Sequence, residues 1–141
     1  MSLQVVALHA VELVYPRVAG LLDKAIKHKN ASSHTLNTVF AGLKHGDYML
    51  AVDSLFDPHN AMVFRIESYN GIPTCYIMFA GGAGGEGLWE KHWDELVEYC
   101  SLLGVKRYIT HAREALLRIF DTETISHFVE LKGLKNGNSS V

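Results

Sequence analysis

The chain is short of the features that would staple a small fold or send it to a special environment. It has two cysteines, Cys75 and Cys100, with no C-x-x-C or Cys/His pairing in sequence. That excludes a disulfide framework or zinc knuckle as the organising device; buried free thiols are the natural reading, with a disulfide or a nucleophile as the alternatives. Neither sign of charge is in excess: the formal net charge is −2 and the pI is near 6.4. Nothing therefore draws the chain to nucleic acid or an anionic membrane, and a small-molecule or protein partner is expected. No apolar run approaches the ~20 residues that span a bilayer, and the N-terminus lacks a basic start and a small-residue cleavage site, so a cytoplasmic location is expected. Eight histidines are present, but none forms H-E-x-x-H, and His92 with Asp94 or Glu95 has no third local ligand. No metal is expected.

What is present is a globular balance: 141 residues, 48% apolar and 20% charged, enough to bury one core without staples. No internal repeat or linker interrupts it. One domain over 1–134 is expected, followed by a disordered tail at 135–141.

Val14, Val18, Leu21, Leu22, Ala25 and Ile26 recur at helical spacing and predict a helix over 12–28, with Pro16 tolerable only in its first turn. Ser33 is a plausible N-cap for a second helix that carries Leu36, Val39, Phe40 and Leu43 and stops at Gly46. The period then changes to that of strands at 48–54, 61–69 and 72–80, with a further short strand at 3–8 compatible. Asn70-Gly71 between the last two is a strong hairpin signal, because a type I′ turn needs positive φ at both central positions. A two-residue loop sets Glu67 opposite Thr74 and Arg65 opposite Tyr76 on one face. Met62, Phe64, Ile66, Cys75, Ile77 and Phe79 fall on the other. Both faces of 72–80 are largely apolar, which predicts an interior strand.

Leu88, Trp89, His92, Trp93, Leu96, Cys100 and Leu103 follow at helical spacing, and Gly104 ends that helix. Trp89 and Trp93 are expected in the core. A strand at 106–110, a short helix at 113–120 and a last strand at about 125–131 complete the order. The long crossover through the Trp89 helix makes 106–110 parallel to 72–80. The expected fold is α/β, a mixed sheet with helices on both faces.

Between strand 72–80 and the Trp89 helix lies Gly81-Gly82-Ala83-Gly84-Gly85-Glu86-Gly87. A strand, a glycine-rich loop and a helix in succession aim free N–H groups and a helix dipole at one point, as an anion site requires; the glycines serve a tight turn equally well. No Gly-Lys-Ser/Thr follows, so the loop is not a P-loop.

The segment Phe79-Ala-Gly-Gly-Ala-Gly-Gly-Glu-Gly-Leu-Trp89, followed by Gly104-Val-Lys-Arg-Tyr-Ile-Thr-His-Ala-Arg113 in this order of elements, resembles the GNAT acetyltransferase superfamily over about 11–131. More narrowly it looks like the small GNAT-like proteins of tailed phages and prophages. The resemblance implies acetyl-CoA as cosubstrate, held by Phe79, Ala80, Gly81, Gly82, Ala83, Gly84, Gly85, Gly87 and Leu88. It implies an N-acetyltransferase acting on a small-molecule or protein acceptor, with acceptor contacts at 27–46. The alternative it carries is a non-catalytic phage protein, virion-associated or inhibiting a host protein in the host cytoplasm. An edge strand or the 12–46 helices offers a two-fold surface, so a homodimer is compatible.

The chain departs from the family's pattern in two places. The loop has no Arg or Gln ahead of its glycine pair, and Phe120 stands where the family's acid tyrosine is expected. Tyr108, Thr110 and His111 are the candidate substitutes, and His111 has the chemistry nearest neutral pH. Glu67, on the hairpin face with Tyr76, is the carboxylate placed to act as base through a water, or alternatively to join a cross-strand ion pair. The catalytic candidates are thus Glu67, Tyr76 and His111.

Overall fold

The computed structural model describes residues 3–28, 34–82, 86–111, 120–125 and 128–135, with the backbone alone at 28, 86–91 and 125. In chain order the elements are β1 (Gln4–Val5), a 3-10 turn (Leu8–Ala10), α1 (Val11–His28), α2 (Leu36–His45), β2 (Met49–Val52), β3 (Asn60–Tyr69), β4 (Ile72–Gly82), α3 (Glu86–Leu102), β5 (Arg107–His111), β6 (Phe120–Ile125) and β7 (Phe128–Leu134). The strands form one seven-stranded sheet in the order β1-β2-β3-β4-β5-β7-β6, mostly antiparallel, with the β4–β5 pair parallel. β4 is interior, as its two apolar faces predict.

The contacts divide the chain into two compact units: Met1–Arg65 with Phe79–Ala83, and Ile66–Met78 with Gly84–Val141. In the first, α1 buries Val11, Val14, Val18, Leu22 and Ile26, at the spacing that predicted it. The helix begins one residue earlier than expected, so Pro16 lies beyond the first turn. Having no N–H, it leaves the Glu12 carbonyl without its intrahelical donor. Tyr15 ties α1 to α2 by donating to the Leu36 carbonyl at 2.7 Å, and burial, with Asp23 adding to it, pushes its phenol up to about 12.

The cap of α2 is Thr35, not Ser33, which lies outside the described residues. Thr35 Oγ1 accepts from Thr38 N at 3.2 Å and Thr38 Oγ1 from Thr35 N at 2.7 Å, a reciprocal capping box with threonine in the place of the usual glutamate. Gly46, at φ 81, ends the helix, and Asp47 N donates back to the Gly42 carbonyl. Asn70 and Gly71 take φ 53 and 81, the left-handed pair that a two-residue hairpin loop requires.

In the second unit α3 ends at Gly104 (φ 83) in a Schellman motif, with Val105 N donating to Cys100 O and Gly104 N to Ser101 O. Trp93 packs edge-on against Tyr108 and Phe120, which makes it core as expected. Two expectations change. Phe120 opens a strand rather than closing a helix, while 112–119 lie outside the described residues. The single last strand is two: β6 and β7 pair antiparallel from Phe120↔Leu134 to Ile125↔Phe128. Strand alternation at 125–131 predicted a partnered strand, but the polar Asp121-Thr-Glu-Thr124 stretch gave no apolar signal for its partner. Of the expected tail, Lys135 is described as a turn and 136–141 lie outside the described residues.

Candidate active site

The parallel register of β4 and β5 runs from Thr74↔Arg107 through Tyr76↔Ile109 to Ile77↔Thr110. Residues in register on parallel strands share a face, so Tyr76 and His111, two positions past Ile109, lie on the same side. There Tyr76 Oη and His111 Nε2 are 2.7 Å apart. β7 completes the surroundings. Its Phe128 is directly opposite His111 in the antiparallel register, with ring centroids 5.2 Å from Tyr76 and 5.1 Å from His111. The hydroxyl–imidazole contact is thus half-buried with an aromatic wall beside it. Glu67 is half-buried on β3 within the same unit.

The opposite faces of the same strands dispose of the other two substitutes. Tyr108 points under α3, where its hydroxyl donates to the Val97 carbonyl at 3.4 Å and burial holds its phenol well above the ordinary range. Thr110 is buried and donates to the Ile77 carbonyl at 2.9 Å. Side-chain alternation makes this division: 108 and 110 lie on one face of the sheet, and 107, 109 and 111 on the other. Further along the face of 107, 109 and 111, Arg107 Nε lies 3.4 Å from Glu130 Oε1, and Lys132 Nζ lies 3.3 Å from Glu130 Oε2 and 3.5 Å from Glu123 Oε2. Hydrogen bonding to Glu130 holds the exposed Lys132 ammonium above its usual value. A separate cavity of about 580 Å³ in the second unit is lined by Trp93, Val97, Lys106, Tyr108, Glu130 and Leu134 among others; Tyr76 and His111 are not part of it.

At the other end of β4 the strand continues past Ile77 to Gly82, two residues beyond the expected end at Ala80. Phe79 is buried, edge-on to His34 with ring centroids 5.6 Å apart. Gly81 and Gly82 are therefore strand residues, and each has a packing reason to lack a side chain. A Cβ on Gly81 would stand 2.3 Å from the Leu21 carbonyl oxygen of α1, and one on Gly82 2.1 Å from Asn60 Oδ1 and 2.5 Å from the His59 oxygen. Ala83, Gly84 and Gly85 lie outside the described residues. Gly87 and Leu88 are in the first turn of α3, which starts at Glu86, two residues before the expected onset.

Asn60 and Asp53 form a polar cluster that has no local signature in the sequence. Asp53, 6% exposed, accepts from His59 N at 3.0 Å, Asn60 N at 3.1 Å and Asn60 Nδ2 at 2.9 Å. Burial alone would raise its pKa; the bonds from Asn60 and His59 outweigh it and hold the carboxyl below its usual value. The Asn60 amide is thereby oriented with Oδ1 buried beside Gly82, where it has no hydrogen-bond partner among the described residues. The order D-x₆-N could have flagged the pair only if the loop between them were known to fold back.

This order of elements, with a parallel β4–β5 pair in an otherwise antiparallel sheet, is the GNAT acetyltransferase fold. Among solved structures the chain is similar to GCN5 of Tetrahymena (8% identity, TM-score 0.63, covering 93% of this chain and 95% of that one). It is also similar to the NatC complex bound to Gag peptide and CoA (10%, TM-score 0.60, 93% and 96%) and to an aminoglycoside acetyltransferase from an uncultured soil metagenomic sample in complex with sisomicin (13%, TM-score 0.59, 80% and 78%). No protein-family model and no curated protein matches the chain. At these identities the likeness is one of fold.

Proposed function

We propose that the chain is an acetyl-CoA-dependent N-acetyltransferase in which Tyr76 and His111 deliver a proton to the departing thiolate. The observation that carries this reading is the 2.7 Å contact between Tyr76 Oη and His111 Nε2 on the face that β4 and β5 share. A phenol hydrogen-bonded to an imidazole can give up its proton to the ring and take another in its place, which neither group does as readily alone near neutral pH. Phe128 beside the pair limits competing water. Glu67 is the proposed base toward the amine through a water.

Bound at the end of β4, acetyl-CoA would supply the activated acetyl thioester. The buried Asn60 Oδ1 beside Gly82 is an acceptor suited to an amide N–H of the pantetheine arm. Phe79 and Ala80 would line that arm, while Ala83, Gly84, Gly85, Gly87 and Leu88 would hold the pyrophosphate at the start of α3. Gly81 and Gly82 contribute backbone only, since the chain's own atoms occupy the space beside them. The acceptor is proposed to be a small amine or a protein; two of the similar structures hold a ligand of one or the other kind, sisomicin and a Gag peptide. A cytoplasmic location, the absence of a nucleic-acid role, a single domain and a homodimer belong to the same proposal. Among the described residues no helix is long and apolar enough to cross a membrane.

Titration calorimetry with acetyl-CoA tests the reading. Saturable heat is expected, abolished by Gly84→Glu or Gly85→Glu, and free thiol should appear on adding an amine acceptor. Tyr76→Phe should retain the heat and lose turnover by roughly 10²-fold or more. Absence of heat at saturating acetyl-CoA would overturn the enzyme and leave a GNAT-like scaffold of the phage type, acting as a virion component or an inhibitor.

A further inference from the structure

We infer that the cavity bounded by α3, the start of β5 and the end of β7 is a binding site for a small aromatic monocarboxylate, apart from the groups proposed for acetyl transfer. The cavity measures about 580 Å³, within the range of about 300–1,000 Å³ that small-molecule sites occupy. Every residue that lines it belongs to the second unit. Its apolar wall is fixed by packing. Trp93 of α3 and Tyr108 of β5 are both buried and meet edge to face with ring centroids 5.1 Å apart, and the Tyr108 hydroxyl donates to the Val97 carbonyl at 3.4 Å. Leu131 and Leu134 of β7 complete that wall. Rings already held in place lose little freedom when a flat ligand packs against them.

The polar side of the cavity is a guanidinium engaged from one side. Arg107 is half-buried, its side chain 21% exposed, and its Nε lies 3.4 Å from Glu130 Oε1. Lys132 Nζ takes the other Glu130 oxygen at 3.3 Å. Glu130 therefore has a cation at each oxygen, while Arg107 Nη1 and Nη2 donate no hydrogen bond among the described residues. Paired N–H groups on a planar cation match the two oxygens of a carboxylate, and partial burial makes such a bond stronger than it is in open water. Charge limits the ligand to a monoanion. Lys106, Arg107 and Lys132 are balanced in the lining by Asp94, Glu98 and Glu130, so a polyanion finds no surplus of positive charge. Asp94, Glu98 and Lys106 are exposed and screened by solvent. The half-buried Arg107 and the aromatic wall are left to select, and together they fit one carboxylate on a flat apolar body.

Cinnamate is the probe, titrated into the isotope-labelled full chain without acetyl-CoA and followed by NMR, so the outcome is independent of enzyme activity. It is expected to shift the backbone amides of Trp93, Val97, Arg107, Tyr108 and Leu134 along one saturation curve and to leave Tyr76 and His111 unmoved. Cinnamyl alcohol and cinnamylamine, which keep the ring and lack the carboxylate, and adenosine triphosphate should each bind at least about tenfold more weakly. Arg107→Gln should weaken cinnamate at least about tenfold and leave cinnamyl alcohol unchanged, whereas Arg107→Lys, which keeps the charge and loses the fork, should recover only part of the affinity. The wild-type titrations need no variant to fold. Absence of saturable shifts at millimolar cinnamate, equal binding of the alcohol, the amine or the triphosphate, or shifts centred on Tyr76 and His111 would overturn the inference.

Discussion

A methyl group added at position 81 separates two explanations of the glycines that end β4. On Gly81→Ala the new Cβ would lie 2.3 Å from the Leu21 carbonyl oxygen and 3.0 Å from its carbon. Optimal non-bonded contact is about 3.5 Å, so the surfaces must part by about 1 Å. The obstacle is the backbone of α1, which cannot rotate aside as a side-chain tip would. Overpacking of this kind costs about 1–3 kcal/mol, and a backbone obstacle places the change in the upper half, about 2–3 kcal/mol. For a chain of this length that lowers the melting temperature by roughly 6–12 °C. Gly20→Ala is the control. It sits exposed within α1 with nothing within 4 Å of its would-be Cβ, and should stabilise by about 0.5–1 kcal/mol. Thermal and urea denaturation of the three proteins measure both shifts. If Gly81→Ala melts within about 1 °C of wild type, the packing argument is refuted. If it does so while losing acetyl-CoA affinity, the glycine serves the ligand and not α1.

Thr35→Ala removes one arm of the α2 capping box and should cost about 1 kcal/mol in urea denaturation, with Thr38→Ala similar and the double variant less than additive. Asp53→Ala leaves three donors from His59 and Asn60 without their acceptor and should destabilise by about 2–4 kcal/mol. Because the Asp53 pKa is lowered on folding, its contribution is complete above the unfolded carboxyl value and is lost as pH falls through the lower folded value. The difference between wild type and Asp53→Ala should therefore be constant from neutral pH to about pH 5 and shrink below about pH 4. Tyr76→Phe should cost about 1 kcal/mol of stability, read by denaturation and separable from its larger effect on turnover.

The candidate site was legible in part. Tyr76 and His111 were each nominated from the residues and the family pattern, yet nothing local says that they touch. Their contact depends on the β4–β5 register, and a shift of one residue would have exchanged His111 for Thr110 on that face. The same register explains why Tyr108, equally plausible on paper, is spent in the core. Asp53 and Asn60 were invisible because the loop between them folds back by side-chain bonds that have no periodic signature.

By itself the sequence determined the local elements whose signals are local: the α1 and α2 periodicities, the left-handed stops at Gly46 and Gly104, the Asn70-Gly71 hairpin and the buried character of β4. Helical spacing, positive-φ turns and two-sided apolar strands are properties of a few adjacent residues, so they can be read without knowing what lies across the fold. Only the tertiary structure decided that Phe120–Ile125 pairs with Phe128–Leu134, that Gly81 is small to admit α1, and that Tyr76 reaches His111. Each of these is a contact between distant segments, fixed by strand register and helix placement, and no single segment carries that information.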